Sequence, residues 1–203
     1  MKNLANREAA PEFDALAIES GRAVLAEFDD ERIKTDPILV DFRRLHADVG
    51  PSAKKTVASP ESLLKYVRRN GRIPRISLVV DIYNLVSVET RLSLGAHDID
   101  RVDGNISLSF ATGAERFIPL GTTAPQPVEK GEYCYMDDAD VLCRLEVRQA
   151  DKTKLSVDTH SAFFMIQGNR ATSGEYVRAA NERLVGLLNR FCGGEARQIW
   201  AGE

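Results

Sequence analysis

Hydrophobic positions along this chain follow a helical period in its first and last parts and a strand period between them. Between residues 77 and 100, SLVVDIYNLVSVETRLSLGAHDID, the residues Leu78, Val79, Ile82, Tyr83, Leu85 and Val86 recur as a broad buried helical face. Asp81 and Asn84 interrupt that face three residues apart, on the same side of the helix, where polar groups are costly unless hydrogen-bonded. The spacing predicts a core helix capped by Ser77, then a small-residue turn through Gly95–Ala96 that presents His97 and Asp98.

Other helices are marked by their ends. Asp36–Pro37 opens a helix that runs to about His46 and stops before Gly50–Pro51. Ser59–Pro60–Glu61 repeats the signal, and SLLKYVRR ends at Gly71. Phe13 to Phe28 is ambiguous: FDALAIES reads as an opening strand, and GRAVLAEF as its continuation or the start of a helix. From residue 105 the period changes. NISLSFA (105–111) predicts a half-buried strand with Ile106, Leu108 and Phe110 on one face. RFIPL, EYCYMD, VLCRLEV and SAFFMIQG read as further strands, divided by glycines and an acidic turn at Asp137–Asp140. A last helix, about Gly174 to Phe191, follows a capping box of Thr172 and Glu175 and stops at Gly193–Gly194. Helices, then strands, then a helix define an α+β class, read as a single domain over 1–203.

Composition narrows the function. With 43% hydrophobic and 28% charged residues the chain is an ordinary globular sequence, with no apolar run of membrane-spanning length and no secretory leader; a cytoplasmic location is expected. Cys134, Cys143 and Cys192 fit no zinc spacing and read as buried reduced thiols; with only three histidines, no metal is expected. A net charge of −3 conceals an uneven distribution. The first fifty residues hold eleven acids against seven bases, whereas residues 54–75 hold Lys54, Lys55, Lys65, Arg68, Arg69, Arg72 and Arg75 against Glu61 alone. Such a basic stretch suits phosphate contacts or a solvated helix face. Phosphate loops, G-x-S-x-G elbows, H-E-x-x-H and dinucleotide fingerprints are absent. Polar groups gather instead at His97–Asp98 and within CRLEVRQADKTKLSVDTH (143–160), where Arg144 and Arg148 share a strand face and Gln149, Thr153, Asp158 and Thr159 follow. Arginine forks, amides and hydroxyls at a pocket rim suit a carboxylate, a phosphate or an amino-acid moiety.

VVDIYN (79–84), GAHDID (95–100), VLCRLEVRQ (141–149) and DTHSAFFMI (158–166), in this order and spacing, resemble freestanding relatives of the B3/B4 editing domain. That domain lies in the β chain of phenylalanyl-tRNA synthetase. The likeness is strongest over 60–190, with 1–59 an N-terminal extension of the same domain. It implies a layered β-sandwich core flanked by helices, and hydrolysis of mischarged aminoacyl-tRNA in trans without metal, nucleotide or other cofactor. Asn84 falls on the asparagine that borders the editing pocket. The histidine of the synthetase motif P-x-H-A-F-D falls on Gly95, while His97 takes its aromatic position and Asp98 its aspartate. Tyr83 stands for a threonine, and a pocket glutamate falls on Met165, with Gln167 the nearest polar side chain. Arg148–Gln149 replaces a small-residue segment. On this reading Asn84, Arg144, Arg148, Gln149 and Thr159 bind substrate, His97 positions water, and Lys65, Arg68, Arg69 and Arg72 contact the phosphates of an aminoacylated tRNA. Two other readings stand beside it: a non-catalytic module binding tRNA or an amino-acid-like ligand, and an enzyme gripping a free carboxylate through the arginine face.

Overall fold

Burial at Phe13, Ala17, Gly21 and Val24 repeats every three or four residues, so the ambiguous opening segment is a helix, α1 (Pro11–Glu27), with proline and two acids in its first turn. In the computed structural model, which describes residues 1–49 and 53–199, five more α-helices, two 3-10 turns and six strands follow among the described residues. A short α2 (Asp30–Thr35), without a periodic signal of its own, is capped by Asp29. α3 (Pro37–Val49) begins as expected, Asp36 accepting from the backbone N–H groups of Ile38 and Leu39; its stop at Gly50–Pro51 lies outside the described residues. α4 (Ser59–Asn70) ends on Gly71 at φ +70°, a left-handed stop that glycine adopts freely.

The central helix is α5 (Leu78–Thr90), buried on almost every side. Its cap corrects the expectation for Ser77, whose hydroxyl accepts from the Asn6 amide instead of bonding the helix. Asn6 Oδ1 itself accepts from Val79 N at 3.1 Å, so a residue far upstream closes the helix. Asp81 accepts from Arg75 Nε and Ile76 N, each at 2.7 Å, and fixes the turn that enters the helix. Burial pushes the Asp81 carboxyl above its ordinary range, against the pull of those two donors.

Residues Ser93–Asp98, expected as a turn, form strand β1, which pairs antiparallel with β6 (Ala162–Gln167). Strand β1 begins three residues after α5 ends, and its small residues pack beneath the helix rather than bending away. A second antiparallel sheet has the order β2 (Ser107–Phe110), β3 (Tyr133–Met136), β4 (Val141–Arg144) and β5 (Arg148–Gln149). Strand β2 is not half-buried: it lies at the sheet edge with Leu108 56% and Phe110 73% exposed. RFIPL is not a strand either; Pro119 cannot donate to a ladder, and only an isolated bridge joins it to Ala150.

The last helix, α6 (Gly174–Cys192), is capped by Ser173, which accepts from Tyr176 N at 3.2 Å. Thr172, the expected cap, bonds Asn169 instead. Ser173→Ala is expected to cost about 1 kcal/mol in denaturant unfolding, and Thr172→Ala to leave the helix cap unchanged.

The main core joins α1, α4, α5 and α6 to β1, around Phe13, Leu64, Ile82, Leu85 and Leu188. A smaller core beneath the four-stranded sheet holds Phe117, Cys134 and Val141. Beside it Asp103, Asp137 and Asp140 converge on Lys152 Nζ at 2.7, 2.7 and 3.0 Å, an ammonium placed among three carboxylates. All three cysteines are free and buried, as expected. The whole is α+β, helices packed around two antiparallel sheets in layers.

Candidate functional site

Where the two sheets meet α4 and α5, they leave a pocket of about 370 Å³. Helix α4 contributes Ser59, Ser62, Leu63 and Tyr66, and α5 contributes Val80, Tyr83 and Asn84. One sheet supplies Leu94, Gly95, Ala96, His97 and Met165, and the other Cys143, Glu146, Val147 and Gln149. Apolar surface dominates, with a few polar groups set into it, the usual make-up of a small-ligand site.

His97 is the best-defined of those polar groups. Strand alternation sends His97 and Asp98 to opposite faces, so they do not form a base-and-orienter pair. Asp98 accepts from Thr159 Oγ1 at 2.7 Å and holds the loop after β5 in place. His97 Nδ1 instead meets Thr153 Oγ1 at 2.7 Å, and Nε2, fully buried, has no hydrogen-bond partner among the described residues. Burial lowers the His97 pKa to about 4, with only a weak opposing pull from Asp137, so the ring is neutral at pH 7. Gln149 Nε2 donates to Ala96 O at 2.8 Å, which stitches the sheets together and leaves Oε1 unspent. The Asn84 amide makes no side-chain hydrogen bond to another described residue, although the residue is only 7% exposed. Tyr83 adds a hydroxyl in the same condition, whose pKa burial raises further.

A charged network supports one wall. Leu145 and Glu146 occupy left-handed backbone at φ +50° and +51°, in the tight turn between β4 and β5, where Val147 N donates to Arg144 O. Two consecutive non-glycine residues there are strained. The Glu146 carboxylate accepts from His46 Nε2 at 2.8 Å and from the Tyr133 hydroxyl, while His46 Nδ1 meets Thr56 O at 3.0 Å. With an acceptor at each ring nitrogen, His46 is best satisfied as imidazolium. Burial lowers its pKa, but the bond to Glu146 and the carboxylate charge outweigh burial and raise it.

The residues singled out in the sequence thus divide. Asn84, His97 and Gln149 come together at the pocket. Arg144 does not line it: its guanidinium makes paired bonds of 2.8 Å to Glu132, another to Pro127 O, and stacks over Phe117. Arg148 stands opposite Arg144 across the turn, exposed, because the chain reverses between them instead of continuing as one strand. Thr159 is buried against Asp98, outside the pocket. Of the basic residues, Lys65 pairs with Glu61 at 2.7 Å and Arg68 approaches Asp30 at 3.6 Å, whereas Arg69 and Arg72 are exposed without an ion-pair partner among the described residues. Ser62, Tyr66 and Arg69 follow a four-then-three spacing, which sets Arg69 on the pocket side of α4. Glu146, Tyr133 and His46 were not legible in the sequence because they lie far apart in the chain; a tight three-residue turn without Gly, Asn or Asp was their one local sign.

Fold and pocket together define an α+β domain whose candidate site lies between a helical layer and two sheets. Residues 41–193 match the B3/4 domain model, and the chain belongs to the B3/4 domain family. It is 30% identical over 122 residues to the phenylalanine–tRNA ligase beta subunit of Mycoplasma genitalium, covering 60% of this chain and 14% of the relative. It is 29% identical over 126 residues to that of Fusobacterium nucleatum, covering 60% and 16%. The chain therefore spans less than a fifth of these relatives. Among solved structures, an N-terminal fragment of the phenylalanyl-tRNA synthetase beta subunit from Pyrococcus horikoshii aligns at 17% identity and TM-score 0.46, over 54% of this chain and 39% of that one.

Proposed function

We propose that this domain binds the aminoacylated 3′ end of a tRNA and hydrolyses the ester bond in trans. The observation that carries this reading is a neutral His97 ring with an unpartnered Nε2, a residue that lines the pocket together with the open Asn84 amide. A neutral imidazole accepts a proton from water, and an amide orients the ester carbonyl or the amine. Neither the ester nor water needs further activation by a nucleotide, since the aminoacyl bond is already reactive. Exposed Arg69 and Arg72 at the end of α4 would take the phosphates next to the acceptor end. The related ligase beta subunits support a partner of the tRNA class.

The test is a deacylation assay across a panel of mischarged tRNAs. Background rates throughout would overturn the reading. Replacing Arg69 and Arg72 with alanine should weaken tRNA binding and reduce the slope of log K against log salt by about 0.7 to 0.9 for each arginine lost. An unchanged slope would place the RNA elsewhere.

One observation favours a second reading, a module that binds without turnover. Gly95 and Met165 are cross-strand partners facing the pocket, so two positions where the resemblance expects polar groups form an apolar floor. Tight, salt-dependent tRNA binding without hydrolysis would establish that alternative.

A further inference from the structure

Eighteen residues line the pocket, and none of them is an arginine or a lysine. Of the guanidiniums on nearby elements, Arg148 stands on the face of β5 opposite Gln149 and Arg69 lies exposed near the end of α4, both outside the lining, and two others are already engaged. Arg75, between the lining residues Pro74 and Ile76, is bound to Asp81 and Asp14. Arg144, beside the lining residue Cys143, is held by Glu132. The one lining acid, Glu146, is matched by His46 and Tyr133. A ligand carboxylate in this pocket would lose water and find no cation among the lining residues to replace it, a costly condition for a charged group. An ammonium group has the opposite prospect. Gln149, with its Nε2 committed to Ala96 O, keeps an unpaired carbonyl oxygen, and the Asn84 amide offers a second acceptor.

We infer that the pocket selects an aminoacyl group whose carboxyl is neutralised in an ester or amide, and rejects the corresponding free amino acid. The inference rests on the proposed function only in taking an amino-acid moiety as the ligand. It gives an editing-type module a physical means of remaining unblocked by free amino acids, because the charge that distinguishes them from the tRNA-bound form has no partner here.

The test is calorimetric titration of the full chain at neutral pH with natural amino acids, each as the free acid and as the carboxamide, which resists hydrolysis. At least one carboxamide is expected to bind about tenfold or more tighter than its own free acid. Equal or tighter binding of the acids, or no binding by any carboxamide, overturns the inference. Met165→Lys supplies a second arm, since an unbranched stem of similar length carries an ammonium into the pocket. The folded variant should reverse the order in favour of the acid. If it fails to fold, the wild-type comparison alone decides. Carboxamide preference without deacylation of any tRNA would overturn the proposed reaction and leave this inference standing. Deacylation with equal binding of acid and carboxamide would do the reverse.

Discussion

Alanine at position 97 is expected to slow the proposed ester hydrolysis by about a hundredfold or more, with the fold retained. The expectation follows from the state of the ring. Its Nδ1 is held by Thr153, its Nε2 is unpaired, and burial keeps it neutral, with a pKa lowered to about 4. Only the neutral form can accept a proton, so the rate should stay level from neutral pH to about pH 5 and fall as the pH approaches 4. A step centred near 6.5, the ordinary value for histidine, would show that the reacting base is another group. Stability is linked in the same direction. A folded pKa below the unfolded value means that the unfolded chain binds the proton first. The contribution of His97 is therefore complete above about pH 6.5 and is lost as pH falls toward 4, about 3 kcal/mol in all. A purely structural histidine would show the stability effect and no loss of rate beyond it.

Glu146→Ala is the most damaging substitution expected for the fold, at about 3 to 5 kcal/mol. It removes the acceptor shared by His46 and Tyr133 and leaves a buried imidazolium without its counter-charge. It also leaves alanine in a left-handed backbone position that only the network maintains. Denaturant unfolding measures the cost directly, and a loss below about 1 kcal/mol would mean that the network contributes little. The pH dependence runs opposite to that of His97. The His46 pKa is raised on folding, so its stabilisation is present below the unfolded value and is lost as pH rises through the folded one. Two buried histidines thus limit stability in opposite directions of pH, and removing Glu146 should abolish the limb that His46 sets.

Local chemistry made much of the helical layer legible. Asp36–Pro37, Ser59–Pro60 and Gly71 mark helix ends through groups that act within a few residues, and each stands at a helix end in the structure. Where a partner is remote, local reading fails. The cap of α5 comes from Asn6, and Ser93–Asp98 is a strand because β6, about seventy residues later, pairs with it. Alternation correctly marked β2 as a strand but not its burial, since nothing packs on the edge it occupies. The pocket divides in the same way. Asn84 was visible as a polar residue inside an apolar run, His97 as part of a small-residue turn and Gln149 as a member of a polar cluster. Arg144 carried the same polar signal, and only Glu132 and Phe117, distant in sequence, explain its separation from the pocket.

The pairing of Gly95 with Met165 bears on how such sequences change over time. A methyl group built on Gly95 would meet the end of the Met165 side chain at 3.7 Å, so small growth there is tolerated. A polar group at either position alone would face an apolar neighbour across the ladder. One mutation is therefore a poor intermediate, and two together make a hydrogen-bonded pair. Among relatives of this chain, the residues at these two positions should covary as a coupled switch between an apolar and a polar floor, each state holding the other residue in place.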